Sequence, residues 1–148
     1  MFVTTVDHIA VTVSNLDRSL AFYQGVLGLR EVERHRLAGP DIEKMANKPG
    51  TILQVVRLAA PDSPKILVDL QEYVAPRGKQ SDSKLGDVAN AHFCFGVAGL
   101  ASTYRQLKEQ GIDFLSEPVT FDLESGTCDV VFLRDPDGFI LELMDVSK

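Results

Sequence analysis

The first pattern along the chain is an alternation of apolar and polar residues. In "VDHIAVTV", residues 6–13, every second residue from Ile9 to Val13 is aliphatic, and His8 falls on the opposite face. This period of two predicts a β-strand with one buried face. A strand does not require a histidine on its second face. His8 is therefore a candidate for chemistry if another part of the chain supplies partners.

The segment after this strand changes to the spacing of an amphipathic helix. Its apolar face consists of Leu16, Leu20 and Tyr23. Ser14 or Asn15 is suited to cap the first turn, and Gly28 is suited to end the helix because glycine accepts a positive φ. We therefore predict a helix here, followed by a second strand in "LREVERHRL".

The same pattern occurs again in the second half of the chain. In "AHFCFGV", residues 91–97, aromatic and aliphatic residues alternate, and His92 falls on the opposite face. A helical pattern follows and ends at Gly111, 19 residues after His92, while Gly28 lies 20 residues after His8. These matching intervals indicate an internal duplication.

Each half continues with strand-like segments. The first half has "TILQVVRL" and "KILVDLQEY", and the second has "IDFLSEPV", "CDVVFLRD" and "FILELMDV", with a tight link at "RDPDGF". Both halves therefore read β-α-β-β-β. The predicted fold class is α+β, in which two paired βαβββ modules form a curved, incomplete barrel with the helices outside. We place module one at 4–75, a polar linker at 76–89 and module two at 90–148, within a single domain.

Composition narrows the class of partner. The chain has 148 residues and a formal charge of −6, which disfavours nucleic acid or an anionic membrane as the main partner. It contains neither a secretory signal pattern nor an apolar run of about 18 residues. Two cysteines do not form a disulfide framework and are typical of a reducing compartment. We therefore predict a cytoplasmic protein.

The last strands of the two halves each carry a buried-looking acid. Asp69 and Glu142 each stand between two aliphatic residues, where a carboxylate is costly unless it is neutralised, hydrogen-bonded or bound to a metal. If a pseudo-twofold axis relates the halves, His8, His92 and the two acids converge. Two imidazoles and two carboxylates suit Zn²⁺, Fe²⁺, Mn²⁺, Co²⁺ or Ni²⁺ and leave positions for water or substrate.

Each of these residues also has a simpler interpretation. A single histidine on a strand is more often a surface or hydrogen-bonded residue than a ligand. Glu142 on its own is compatible with an ion pair to a neighbouring basic side chain. Asp69 is the weakest member of the set because aspartate reaches less far than glutamate. The common positions in both halves make the metal interpretation stronger for the set than for any member.

At these residues the chain resembles the vicinal oxygen chelate superfamily, which includes glyoxalase I, methylmalonyl-CoA epimerase, extradiol dioxygenases and the bleomycin-resistance proteins. The segments that carry the resemblance are "DHIAVTVSNLDRSLAFYQGVLGL", "AHFCFGVAGL" and "DPDGFILELMD". It covers nearly the whole chain and implies the duplicated βαβββ fold.

The resemblance also implies a ligand set and an activity. The metal ligands would be His8, Asp69, His92 and Glu142. The family usually has glutamate, or sometimes glutamine, at the position of Asp69, so Asp69 either ligates directly or acts through a water. The implied activity is that of a glyoxalase-like lyase or isomerase acting on a small substrate that chelates the metal through oxygens. Glu142 is the first choice for the catalytic base and Asp69 the second.

Two other functions stay open at this point. An extradiol-type, ring-cleaving dioxygenase needs only two histidines and one glutamate, so His8, His92 and Glu142 alone would serve it. A drug- or metabolite-binding protein of the bleomycin-resistance type would hold its ligand without catalysis and without a metal. In either case we expect a small-molecule ligand and a homodimer.

The segment "ERHRLAGPDIEKMANKPG", residues 33–50, interrupts the first half and contains a short helical stretch at 41–47. It is suited to cover the substrate, with Met45 and Arg36 as contacts, or it is an ordinary solvated loop. Tyr73 shares the face of Asp69 and is a further predicted substrate contact, with partial burial in packing as the alternative.

Overall fold

The computed structural model describes residues 2–145, and for residues 63–66 it describes the backbone alone. The predicted second module therefore ends with three residues, 146–148, that lie outside the described part. The strands are β1 (His8–Thr12), β2 (Arg30–Ala38), β3 (Ile52–Ala60), β4 (Ser63–Ala75), β5 (Phe93–Val97), β6 (Val119–Leu123), β7 (Gly126–Arg134) and β8 (Ile140–Asp145). The helices are α1 (Leu16–Tyr23), α2 (Pro40–Ala46) and α3 (Leu100–Glu109).

The chain divides into two units, residues 1–80 and 81–148, which we describe separately. In the first unit the sheet order is β1-β4-β3-β2, with β1 parallel to β4 and the other pairs antiparallel. In the second unit the order is β5-β8-β7-β6, with the same pattern of directions. The equal orders confirm the duplicated βαβββ reading and the α+β fold class, and both sheets are open.

A carboxylate from the last strand of each unit bonds the start of that unit's first helix. The Leu16 backbone N–H donates to Glu72 over 2.8 Å, and the Leu100 backbone N–H donates to Asp145 over 3.0 Å. An acceptor at a helix N-terminus satisfies a backbone donor that the helix itself leaves unpaired. Both acids lie three residues after the acid that the sequence marks as a site residue.

The core of each unit lies between its sheet and its helix. In the first unit the fully buried side chains include Tyr23, Val56, Leu58 and Leu70. In the second they include Leu100, Leu133, Leu141 and Leu143. Burial of these apolar faces is what fixes strand register, because a one-residue slip would turn each face to water.

The helix limits agree with the sequence patterns in part. Asn15 caps α1, where its side chain accepts from the Arg18 backbone N–H over 2.8 Å. Gly111, with φ +81°, directly follows the C-cap of α3, as predicted. Helix α1 ends earlier than predicted, at Tyr23, and Gly28 with φ +79° closes the turn that follows it. Helix α2, Pro40–Ala46, overlaps the predicted helical stretch at 41–47 and begins one residue before it.

The prediction of a strand at "IDFLSEPV" is wrong. In that segment Phe114 makes a single bridge to Leu133, and the strand β6 begins only at Val119. Pro118 lies between the two and has no backbone N–H to donate to a neighbouring strand. The segment thus contributes one bridge, and the continuous ladder starts after the proline.

Among the described residues, no helix has both the length and the apolar character that a membrane crossing requires.

Candidate functional site

The second unit brings His92 and Glu142 together. His92 immediately precedes β5, and Glu142 lies in the neighbouring strand β8, which pairs with β5 in parallel. His92 Nε2 and Glu142 Oε2 are 3.1 Å apart, with side chains that are 40% and 15% exposed. The pair is therefore open to a ligand on one side and partly shielded from water.

An aromatic ring and a thiol surround this pair. Phe132 stands opposite Glu142 in β7, and its ring meets the His92 imidazole edge-on with centroids 5.1 Å apart. Cys94 stands opposite Glu142 in β5. Partial burial and, second to it, the Glu142 charge raise the pKa of the Cys94 thiol to about 11, although the residue remains exposed as a whole. Cys94 is therefore a neutral thiol at pH 7.

The first unit brings His8 and Asp69 together at the equivalent positions. Asp69 lies in β4 opposite Ala10 of β1, as Glu142 lies opposite Cys94. His8 Nε2 and Asp69 Oδ2 are 3.7 Å apart, and the Asp69 side chain is only 4% exposed.

Arg57 occupies both oxygens of Asp69. It stands opposite Asp69 in β3, and its Nε and Nη2 donate to Oδ1 and Oδ2 over 2.8 and 2.9 Å. This is a two-bond contact between guanidinium and carboxylate, the strongest form of ion pair that the two groups make. The hydrogen bonds and charge of Asp69 in turn raise the pKa of Arg57. The burial cost of Asp69 is thus offset by an arginine.

Asp7 orients the imidazole of His8. His8 Nδ1 and Asp7 Oδ2 are 2.8 Å apart, and because a carboxylate only accepts, Nδ1 carries the proton. This contact, with a smaller contribution from Arg57, lowers the pKa of Asp7. A proton on Nδ1 leaves the lone pair on Nε2, the nitrogen that faces Asp69, free to bind a ligand.

We tested these donors against a divalent metal. The 3.1 Å between His92 Nε2 and Glu142 Oε2 is a hydrogen bond that Nε2–H donates, since a carboxylate only accepts. Two ligands at the usual distance from a divalent ion lie about 3.0–3.4 Å apart, so a metal that displaced this proton would find the two atoms at a fitting distance. The Nε2 of His8 fits as well, because the contact with Asp7 uses the other ring nitrogen. Asp69 does not fit, because both of its oxygens already accept from a fixed cation.

The structure thus brings the predicted ligands together as two pairs, each within its own unit. Among the side chains that the structure describes, no group of three or more His, Cys, Asp or Glu residues is arranged to hold a metal. The assignment of His8, Asp69, His92 and Glu142 to one cation stays a prediction from the sequence. The assignments of Glu142 and Asp69 as first and second choice of base stay predictions as well.

The predicted substrate contacts lie in different surroundings. Tyr73 packs against the buried cluster of Ile42, Leu53 and Val55, and Lys48 Nζ lies 6.0 Å from its ring centroid. Met45 lies on α2 with 71% of its surface exposed. Arg36 is exposed on β2. Their roles toward a substrate stay predictions.

The sequence interpretation missed the pairing of Arg57 with Asp69. A signal was present, because Arg57 is the one charged residue in β3 and a buried acid requires a cation. The pairing could not be predicted by counting residues, because the strand register is irregular. The β3–β4 ladder shifts between Ala59 and Ala60, so counting back from the turn does not bring residue 57 opposite residue 69.

Comparison with protein families gives one match over most of the chain. The model of the Glyoxalase/Bleomycin resistance protein/Dioxygenase superfamily matches residues 5–143.

Curated relatives are similar at low identity. The chain is 26% identical over 149 residues to Glyoxylase I 4 of Arabidopsis thaliana, a match that covers 100% of this chain and 74% of that protein. It is 25% identical over 157 residues to a lactoylglutathione lyase of Pseudomonas aeruginosa, covering 95% of this chain and 82% of that enzyme.

Solved structures support the fold. A glyoxalase family protein from Bacillus cereus superposes with a TM-score of 0.84 at 15% identity, covering 97% of this chain and 94% of that one. The trypanothione-dependent glyoxalase I of Leishmania major has a TM-score of 0.64 at 23% identity, covering 97% and 87%. At these identities the likeness concerns the fold alone.

Proposed function

Because the chain belongs to the Glyoxalase/Bleomycin resistance protein/Dioxygenase superfamily, we propose that it is a divalent-metal-dependent enzyme of the glyoxalase-like lyase or isomerase type. Its substrate would be a small molecule with two neighbouring oxygens. The observation that carries the proposal is the His92–Glu142 pair, whose donor atoms are spaced for a single metal ion and remain open to a ligand. Relatives named lactoylglutathione lyase support the reaction type.

Three residues are assigned to the metal. His92 and Glu142 have the spacing, and His8 has a free Nε2 because Asp7 holds the proton on Nδ1. The metal itself, of the Zn, Fe, Mn, Ni or Co group, would polarise a substrate oxygen as a Lewis acid. Asp69 is left out of the set because Arg57 engages both of its oxygens.

Glu142 is the better base of the two acids. A general base must accept a proton from the substrate at an accessible oxygen, and Arg57 engages both oxygens of Asp69. Within the described contacts, the neighbours of Glu142 are instead His92 and the neutral Cys94 thiol. Phe132 stands opposite Glu142 and packs edge-on against the His92 imidazole, so it bounds the pair on one side.

One observation favours a second function. Asp69 is held by an arginine, so the predicted ligands that remain, His8, His92 and Glu142, would supply the two histidines and one carboxylate that non-haem iron oxygenases use. The second candidate is therefore an extradiol-type, ring-cleaving dioxygenase with Fe²⁺ or Mn²⁺.

The experiment measures metal and turnover on one preparation. Protein purified without added metal is analysed for bound metals, and then assayed with the hemithioacetal of methylglyoxal and glutathione and, separately, for oxygen uptake with catechols. We expect one divalent ion per chain and hemithioacetal consumption that is lost in Glu142→Ala and kept in Glu124→Gln, an exposed acid of the same unit.

The other outcomes identify the alternatives. Oxygen uptake without hemithioacetal consumption would replace the lyase by the dioxygenase. Tight binding of a small molecule with neither metal nor turnover would make the protein a binder of the bleomycin-resistance type. We further propose a homodimer in the cytoplasm, which sedimentation equilibrium and cell fractionation test.

A further inference from the structure

The contact between Arg57 and Asp69 occupies the side of the carboxylate that a metal would use. Its two parallel bonds, 2.8 Å to Oδ1 and 2.9 Å to Oδ2, leave neither oxygen without a donor. A carboxylate that chelates a metal ion offers the same pair of oxygens. The guanidinium therefore excludes a metal from the chelating side of Asp69, and the lone pairs that remain point away from that side, one on each oxygen.

The surroundings hold the guanidinium there. Arg57 Nη2 also lies 3.7 Å from Asp7 Oδ2, so the guanidinium faces two carboxylates, Asp69 and Asp7. The Arg57 side chain is 22% exposed, which limits the water available to replace these contacts. An arginine keeps its charge at any physiological pH. The positive charge beside Asp69 is therefore present throughout the physiological pH range.

The second unit has no such cation at the corresponding position. Phe132 stands opposite Glu142 in the same way that Arg57 stands opposite Asp69. A neutral phenyl ring forms no ion pair with the Glu142 oxygens. Of the two acids, Glu142 is therefore the one that is available to an added cation.

We propose that Arg57 is a built-in substitute for the metal at Asp69: it withholds this carboxylate from ligation, so that the protein binds its metal through Glu142 and histidine and keeps Asp69 as a fixed, arginine-bound anion. The inference rests on the proposed function in one respect, since it takes the metal as given. It makes Arg57 a positioning residue that sets the number of carboxylate ligands.

The test measures Co²⁺ affinity and the visible Co²⁺ spectrum in a cycle of variants. Asp69→Asn should change the affinity less than about threefold and leave the spectrum unaltered. Arg57→Gln should raise the affinity roughly tenfold and alter the spectrum, because a released carboxylate joins the ligands. The double variant should return to the wild-type values. Arg30→Gln, a loss of arginine on the same sheet, is the matched control.

Folding is monitored by circular dichroism with a chelator present. If Arg57→Gln does not fold, Arg57→Lys keeps a charge but contacts a single oxygen, and should still give an affinity above that of the wild type. Tenfold weaker binding in Asp69→Asn with Arg57 intact would overturn the inference. So would an Arg57 variant that folds and gains no affinity.

The outcomes separate this inference from the proposed function. Wild-type protein that binds Co²⁺ and a folded Arg57→Gln variant without gain would remove the inference and keep the metal enzyme. A variant that binds Co²⁺ where the wild type does not would keep the inference and remove the metal enzyme. Absence of binding in both would remove the two together.

Discussion

The two units place an acid and a histidine at equivalent points of equivalent sheets, yet surround them differently. In the first unit Asp69 lies opposite Arg57, and His8 follows Asp7. In the second unit Glu142 lies opposite Phe132. The difference between the units is therefore one of charge rather than of backbone. It indicates that a duplicated scaffold can keep an acid and a histidine at the same two positions while a cross-strand neighbour decides whether the acid forms an ion pair with arginine.

The largest expected effect comes from Glu142, the acid that lies opposite a phenylalanine rather than an arginine. Glu142→Gln should lower kcat for the hemithioacetal by about 10²–10⁴-fold, since an amide retains an oxygen ligand but accepts no proton. Asp69→Asn should lower kcat by about tenfold or less. Steady-state kinetics with metal analysis of each variant checks this. Equal losses in the two variants would contradict the contrast between the units.

The next effect concerns stability. Arg57→Leu should lower the free energy of unfolding by about 3 kcal/mol, because it leaves a buried carboxylate without its cation. Phe132→Leu, the corresponding change in the second unit, should cost less than about 1.5 kcal/mol. Urea denaturation measures both. The double variant Arg57→Leu with Asp69→Leu should recover most of the loss, and failure to recover would mean that Arg57 stabilises through its packing instead.

The third prediction uses the thiol that only the second unit has at this position. The pKa of Cys94 is raised to about 11, so at pH 8 it should react with iodoacetamide about 100-fold more slowly than in the unfolded chain. A thiol whose pKa is raised on folding favours the native state below its unfolded pKa, near 9, and this contribution is lost as the pH rises from there through 11.

The measurement uses Cys128→Ser, so that Cys94 alone is alkylated, and follows the rate against pH. Glu142→Gln in the same background should lower the pH midpoint of Cys94 alkylation part of the way toward its value in the unfolded chain. The remaining shift should persist, because partial burial is the larger cause of the raised pKa. An unchanged midpoint would show that Glu142 does not act on the thiol.

The smallest expected effect lies at the helix starts. Asp145→Ala should destabilise the protein by about 1–2 kcal/mol, since the residue before α3 is Gly99, which offers no capping side chain. Glu72→Ala should cost about half as much, because Asn15 also caps α1. Thermal unfolding compares the two. A larger loss in Glu72→Ala would reverse the assignment of the stronger cap.

The sequence predicted the fold correctly in segments where the spacing of apolar residues follows a single helical or strand period. The duplicated strand–helix–glycine intervals predicted both modules, and Gly111 ends α3 as predicted, whereas α1 ends at Tyr23, before Gly28. The error at β6 arose because a strand-like run of residues does not reveal a missing backbone donor, and the ladder starts only at Val119, after Pro118. The local sequence pattern thus predicted the type and order of the helices and strands better than the residues at which they begin and end.

For the site, the sequence predicted one set of four residues, which the structure places as two acid–histidine pairs whose roles stay predictions. These four residues could be selected because each histidine and acid recurs at the same place in a repeat. The partner of Asp69 could not, because cross-strand contacts depend on register, and the ladder between β3 and β4 shifts close to the turn. A rule that every buried acid needs a cation would have indicated Arg57 without the register.

The acid that bonds each helix start has a mechanical consequence. Glu72 lies three residues after Asp69, and residues an odd number apart on a strand point to opposite faces. Moving β4 by a single residue relative to both β1 and β3 would break the bond to α1 on one face and the contact with Arg57 on the other. Both contacts therefore require the same strand register, and an insertion between residues 69 and 72 would disrupt one of them. The polar segment that joins the units can change length without this penalty.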